Sequence, residues 1–316
     1  MTSRIGIIGV GPVGAAAAYA LLLQHVAREL WLVDVKLDRR NGQVRDLADV
    51  AAVVADPESP GGGAGATVRA ATHHEVAAEC DVIVITAGSK YTIGETSMQH
   101  LYRKVSIVRS IVAAMQPIRR DAVLLVVSNP VDLLTSLVKE MAGLPAGQVL
   151  GTGTELDGVR LRALVAAEMR TSASSINLNV VGVHGPSQLA TWSTATINDQ
   201  SLHPTLLSTH HPTLLADECK RRSEAIVHSK GSTEYGIAAV IARLCAAILD
   251  DKQSVHAVSH LQAEFGCCFS LPAVLGREGV VRTVAVELNE GERAEMERSV
   301  RLLRGRIGSV EGDGVV

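Results

Sequence analysis

The chain has 316 residues, which at roughly 150 per domain makes two domains or one large α/β unit. Its 30 Lys+Arg against 33 Asp+Glu leave a net charge of −3, which excludes a general polyanion binder, whose footprint is strongly basic. Hydrophobic residues make up 47% and aromatics only 3%, so the core is built from Ala, Val, Leu and Ile. That suits buried parallel strands and not a platform that stacks nucleobases, and no nucleic-acid partner is expected.

Short apolar runs alternate with helical patterns through the first 150 residues. Arg4–Val10 reads as a strand, Pro12–Val26 as an Ala/Leu-rich helix, Glu29–Asp34 as a second strand and Leu37–Val54 as a second helix. Glu58–Gly65 is a glycine-rich surface loop. Thr67–Ala71, Asp81–Ala87 and Ala122–Ser128 read as further strands, with a long helix from about Met98 to Ile118. Strands alternating with helices predict right-handed crossovers and a doubly wound parallel sheet, which binds ligands at the carboxyl ends of its strands.

After Gly151 the rhythm changes. Thr154–Arg170 is helical, Ser175–Val183 alternates as a strand does, and His211–Asp250 is a long helical region broken near Gly231. Ser254–Gly266 and Cys268–Leu275 read as strands able to pair, and Asn289–Leu303 as a closing amphipathic helix. The expected division is a nucleotide-binding domain over 1–150 and an α+β substrate domain over 151–316.

Five cysteines, at 80, 219, 245, 267 and 268, include no CxxC and predict no zinc or disulfide site. The repeat at His203–Leu207 and His211–Leu215 brings histidines together without a carboxylate or cysteine at ligand spacing, and with His73-His74 it is read as local structure. No metal is expected. Neither a leader pattern nor an apolar run of about 18 residues is present, so a cytoplasmic protein without a membrane partner is expected.

Gly9-Val10-Gly11-Pro12-Val13-Gly14 is a GxGxxG between the first strand and the first helix. The first glycine allows the tight turn, the second admits a pyrophosphate to the backbone, and the third lets helix and strand pack closely. The helix N-terminus then presents its positive end to the phosphates. Asp34 ends the second strand 20 residues after Gly14, where an acid accepts from a ribose 2′-hydroxyl and repels a 2′-phosphate. The pattern predicts NAD rather than NADP.

Four polar positions further on have the right chemistry for a reacting site. Asn129 follows the strand ending at Ser128; Asp157 and Arg160 share a helical face; His184 follows Val180–Val183 and precedes Gly185. A histidine is a good acid/base near neutrality, and a carboxylate would orient its ring and favour its charged form. Nothing in the spacing by itself joins Asp157 to His184.

The chain resembles the L-lactate/L-malate dehydrogenase superfamily over nearly its whole length. The resemblance is carried by Gly9–Gly14, Thr86-Ala87-Gly88 with Gly94-Glu95-Thr96, Val127–Thr135, Gly151–Arg162, Gly182–Gly185 with Trp192-Ser193, Lys230–Thr233 and Ser270–Arg277. It implies an NAD-dependent dehydrogenase acting on CH–OH groups, with a small 2-oxo or 2-hydroxy acid as substrate. It also implies a homodimer or homotetramer. His184 would be the proton donor and acceptor and Asp157 its orienting carboxylate. Arg160 would clamp the substrate carboxylate, Asn129 would contact substrate and nicotinamide, and Thr233 would line the pocket. Gly9, Gly11, Pro12, Val13, Gly14, Asp34, Thr86, Ala87, Gly88, Val127 and Asn129 would hold the cofactor. Residues 88–98 correspond to a loop that closes over the substrate.

Three departures from that pattern stand out. Ser97 occupies the place of the loop arginine that usually polarises the carbonyl, a loss on the order of 3 kcal/mol in barrier. Lys90 is the nearest loop cation, and Arg103 is a helix residue also usual in relatives. Tyr91 stands where lactate enzymes carry glutamine and malate enzymes arginine, which disfavours malate. Val183 and Pro186 replace two acids around His184. Tyr91 and Ser97 together make a less charged, more apolar loop, and the expectation is a pocket for an uncharged, bulkier 2-oxo acid or a related imino acid, still anchored by Arg160. The competing readings are a weakened lactate-type enzyme, a non-catalytic NAD-binding paralogue, and a relative repurposed for another carbonyl or imine reduction.

Overall fold

The computed structural model describes residues 3–55, 65–202 and 212–312. Most of the Glu58–Gly65 loop and the first copy of the His-Pro-Thr-Leu-Leu repeat, with His210 and His211, lie outside them. The first half runs β1 (Arg4–Ile8), α1 (Pro12–Leu23), β2 (Glu29–Val33), α2 (Leu37–Ala55), β3 (Thr67–Ala70), α3 (His73–Glu79), β4 (Val82–Ile85), α4 (Ser97–Met115), β5 (Val123–Val126), α5 (Val131–Ala142) and β6 (Val149–Gly151). These strands form a parallel sheet in the order β3-β2-β1-β4-β5-β6, the doubly wound pattern that reverses between β1 and β4. Alternate residues feed opposite cores: Ile5 and Ile7 pack with α1, α2 and the later helix α8 (Tyr235–Leu249), while Ile8, Ile83 and Ile85 pack with α3, α4 and α5.

The rest of the second half is α6 (Glu155–Met169), β7 (Ile176–Asn177), β8 (Val180–Val181), β9 (Leu189–Ala190), β10 (Thr196–Ile197), β11 (Gln200–Ser201), α7 (Pro212–Lys230), β12 (Ser254–Gln262), β13 (Cys267–Gly276), β14 (Gly279–Thr283) and α9 (Glu290–Gly312). It is not a detached unit. β12 joins the parallel sheet antiparallel to β6 at Ser259 and Gly151, and β13 and β14 follow, so one sheet of nine strands crosses residue 151. β12 and β13 pair as their sequences predict, Ser254 opposite Leu275 through Gln262 opposite Cys267.

Several short strands, β6, β9, β10, β11 and β14, were not in the sequence reading, and three further elements differ from it. The alternation over Ser175–Val183 is real in burial, with Ile176, Leu178 and Val180 inside, but β7 and β8 pair in different small sheets, so no single strand forms. Helix α5 was not foreseen because Val131–Val138 is buried on every side, which removes the 3.6-residue period. Helix α3 carried a local signal: Thr72 accepts from the Glu75 N–H while Glu75 accepts from the Thr72 N–H, a capping box legible as T-x-x-E. His73-His74 therefore opens a helix. No helix of the described residues is long and apolar enough to cross a membrane.

Phe269 on β13 is fully buried in the same core as α4, α5 and α9, edge-on to Phe265 at 5.3 Å. Phe269→Ala is expected to cost about 3–5 kcal/mol, read as a lower urea midpoint with an unchanged slope.

Candidate active site

The GxGxxG turn sits at the reversal of strand order. Gly9 has φ +95°, and a Cβ there would lie 2.5 Å from Ala87 Cα. A Cβ on Gly14 would lie 2.1 Å from the Gly9 carbonyl oxygen, so only glycine lets α1 start so close to β1. Thr86 Oγ1–H donates to that carbonyl at 2.6 Å and ties β4 to the turn. Gly11 and Gly88 face open space, as a backbone approached by a phosphate must. Asp34 accepts from Val10 N–H at 2.9 Å and Lys36 N–H at 2.8 Å, which fixes its carboxylate at the rim. A cleft of about 1200 Å³ runs from Asp34 past Gly9, Pro12, Val13 and Ala87 to Thr233. Its size, its bare glycine backbone and its carboxylate at the ribose end fit a dinucleotide.

At the far end, Val13, Thr86, Gly88 and Thr233 are shared with a second cavity of about 240 Å³, which Val127, Asn129, Asp157, Arg160 and His184 also line. Here the partners that spacing could not join come together. His184 Nδ1–H donates to Asp157 Oδ2 at 2.8 Å, and Nε2 has no partner among the described residues. The His184 backbone N–H donates to Asp132 Oδ2 at 2.7 Å. Burial of the ring opposes its charge, but the Asp157 hydrogen bond and the charges of Asp157 and Asp132 outweigh it, so His184 titrates above the ordinary histidine value. Asp132 is itself fully buried, which pushes its carboxyl above the usual range.

Arg160 Nη1 lies 3.7 Å from Asp157 Oδ1 and donates to Ser223 Oγ at 2.6 Å. Nε and Nη2 have no partner among the described residues, which leaves the guanidinium one edge for a carboxylate. Asn129 Oδ1 accepts from Val131 N–H at 3.3 Å, and its amide NH2 has no partner among the described residues. Asn129, Asp157 with Arg160, His184 and Thr233 thus converge from four places in the sequence.

Tyr91 and Ser97, expected to meet the substrate, line neither cavity. Glu95 gathers the loop: its Oε2 accepts from Arg103 Nη2 at 2.6 Å and from Thr92 N–H at 3.0 Å, and lies 3.1 Å from His100 Nδ1. Tyr91 stacks on the His100 ring, 3.9 Å between centroids, and remains 63% exposed. Ser97 is the first residue of α4, directly after the Thr96 cap, and is exposed. The cavity carries a cation besides Arg160, because Lys104 lines it. Lys104 carried no motif signal, being one cation among others in a helical pattern. Ser89, whose buried Oγ has no partner among the described residues, and Asp132, read only as part of a motif, were missed for the same reason.

Comparison with known proteins agrees over both halves. Residues 3–151 match the family described as lactate/malate dehydrogenase, NAD binding domain, and residues 154–312 its alpha/beta C-terminal domain. L-lactate dehydrogenase A of Rhizopus oryzae is 39% identical over 304 residues, covering 96% of this chain and 91% of that one. L-lactate dehydrogenase of Synechococcus sp. (strain JA-3-3Ab) is 37% identical over 311 residues, covering 96% and 98%. Among solved structures, the minor L-lactate dehydrogenase of Enterococcus mundtii in its ligands-bound form has a TM-score of 0.89 at 30% identity, covering 98% of each chain. A lactate dehydrogenase from a Medee basin deep-sea metagenome library has a TM-score of 0.90 at 27% identity, covering 98% of this chain and 100% of that one. The chain belongs to the lactate/malate dehydrogenase family and is an NAD-dependent dehydrogenase acting on CH–OH groups.

Proposed function

We propose that the enzyme interconverts an L-2-hydroxy acid and its 2-oxo acid, with a substrate side chain that is uncharged and bulkier than the methyl of lactate. The observation that carries this is the Asp157–His184 pair beside Arg160 in a small cavity that opens into the dinucleotide cleft. Arg160 holds the substrate carboxylate on its free edge. When bound, NADH supplies the hydride that makes the new C–H bond at the carbonyl carbon. His184 Nε2–H gives its proton to the oxygen on which the carbonyl π pair settles, and Asp157 steadies the ring throughout. The Asn129 amide donates toward the same oxygen or the nicotinamide carboxamide. Val131, Leu156 and Ile237 offer the side chain apolar walls, and among the described residues no second guanidinium lines the cavity for a distal carboxylate.

NADH oxidation against 2-oxo acids of increasing apolar side chain, with oxaloacetate for contrast, tests the reading. Turnover is expected to favour the apolar members, and His184→Ala to lower it by about 10²–10⁴-fold. NADH binding without turnover of any member would leave a non-catalytic NAD-binding protein. Preference for oxaloacetate would overturn the proposed side chain.

The raised pKa of His184 gives a second expectation. Its protonated form is the donor, so kcat/KM for reduction holds at low pH and falls as pH rises through the elevated value. Asp157→Asn removes both the hydrogen-bonded partner and its charge, and the descending limb of the reductive pH profile is expected at lower pH.

A further inference from the structure

Lys104 on α4 is half-buried and lines the same cavity as Arg160, Asn129 and His184. It makes no hydrogen bond or ion pair with the described residues. Glu95, whose charge acts on it, and Asp157, on the wall of the same cavity, are committed elsewhere. Glu95 is taken by Arg103 and lies beside His100, and Asp157 by His184 and Arg160. An ammonium drawn out of water with no counter-ion is costly, so a lysine held this way is placed for a charge that arrives with a ligand. Burial pulls its pKa down, with the neighbouring Arg103 adding to the effect.

The chemistry of the cavity decides which charge. A 2-oxo acid brings a carboxylate, for which a planar guanidinium is the matched partner, and Arg160 has a free edge for it. The side chain is left with aliphatic walls. The reacting oxygen remains: neutral in the ketone, it takes up a full electron pair as the C–H bond forms. A compact point charge fixed beforehand near one oxygen stabilises that change most, because it needs no reorganisation as the charge develops. The loop places no cation of its own in this cavity, since Lys90 lies along the dinucleotide cleft and Ser97 faces solvent.

We propose that Lys104 is a further catalytic residue, its ammonium binding the carbonyl oxygen of the 2-oxo acid and the alkoxide that develops on it, from helix α4 rather than from the loop. The proton that completes the hydroxyl still comes from His184, and Lys104 begins and ends the step as an ammonium. This inference rests on the reading of the cavity as a 2-oxo acid site. Activity of the unaltered enzyme tests that reading, and comparison with Lys104 variants tests the inference.

Lys104→Met keeps the length of the side chain without its charge, and Lys104→Arg keeps the charge. For 2-oxo acids with an uncharged side chain, Lys104→Met is expected to lower kcat/KM by about a hundredfold or more, mostly in kcat. Lys104→Arg should recover a measurable part. The dissociation constant for NADH, read by fluorescence, should be unchanged in both. Affinity for the oxygen-bearing analogue oxamate in the presence of NADH should fall in Lys104→Met. An unchanged rate in Lys104→Met overturns the proposal. So does a loss confined to 2-oxo dicarboxylates, which would make Lys104 a distal anchor, or a loss matched by weaker NADH binding, which would assign it to the cofactor. If Lys104→Met does not fold, Lys104→Arg decides: wild-type-like NADH binding with a shifted kcat for uncharged substrates supports the role, and a shift for dicarboxylates alone overturns it.

Discussion

Ser270 holds the reacting site together. Wholly buried on β13, it exchanges backbone hydrogen bonds with Gly182 at 2.8 and 2.9 Å, two residues before His184. Its Oγ accepts from the Thr154 N–H at 3.1 Å, three residues before Asp157. One side chain and its backbone thus fix both segments whose side chains meet in the His184–Asp157 bond. β13 in turn keeps its place through β12, which reaches the parallel sheet at Gly151. A donor and acceptor far apart in sequence need such a framework, since a hydrogen bond is strong only when its geometry is fixed before the substrate arrives.

Charge in the cavity is arranged with the same economy. Asp157 is nearly buried and serves His184 through one oxygen while the other faces Arg160. Asp132 accepts the His184 backbone N–H from the opposite side, so two carboxylates favour the imidazolium although the ring is desolvated. Arg160, paired with Asp157 through Nη1, keeps Nε and Nη2 without a partner among the described residues, and Lys104 has none there for its ammonium. A site with that balance attracts an anion and stabilises a second negative charge appearing beside the first. Hydride addition to a 2-oxo acid makes that demand.

The nucleotide end was legible because its constraints are local. Gly9 and Gly14 are needed by a turn and a close approach within a few residues, and Asp34 stands at a fixed remove along one crossover. The candidate catalytic residues were named through motifs, but their contact was not legible, since Asp157 and His184 lie on elements that meet only in the folded chain, through Ser270 of β13 and the Thr154 hydroxyl on the Val180 carbonyl. Tyr91 and Ser97 show the opposite limit. Their place in the sequence suggested the cavity, yet Glu95, Arg103 and His100 fold the loop onto α4 and turn Tyr91 against an imidazole. Loop side chains answer to whichever partners the next helix offers.

The sequence by itself determined a parallel α/β sheet with an aliphatic core and a glycine turn for a dinucleotide, and it singled out a histidine, a carboxylate and a guanidinium as candidates for the reacting site. Periodicity and glycine placement are properties of neighbouring residues, so they survive in one dimension. Tertiary structure alone decided that β12–β14 extend the first sheet, that His184 meets Asp157, and that Lys104 rather than a loop residue puts its charge into the cavity. Those depend on which strands pair and which helix face is covered, distances that close only when the whole sheet has formed.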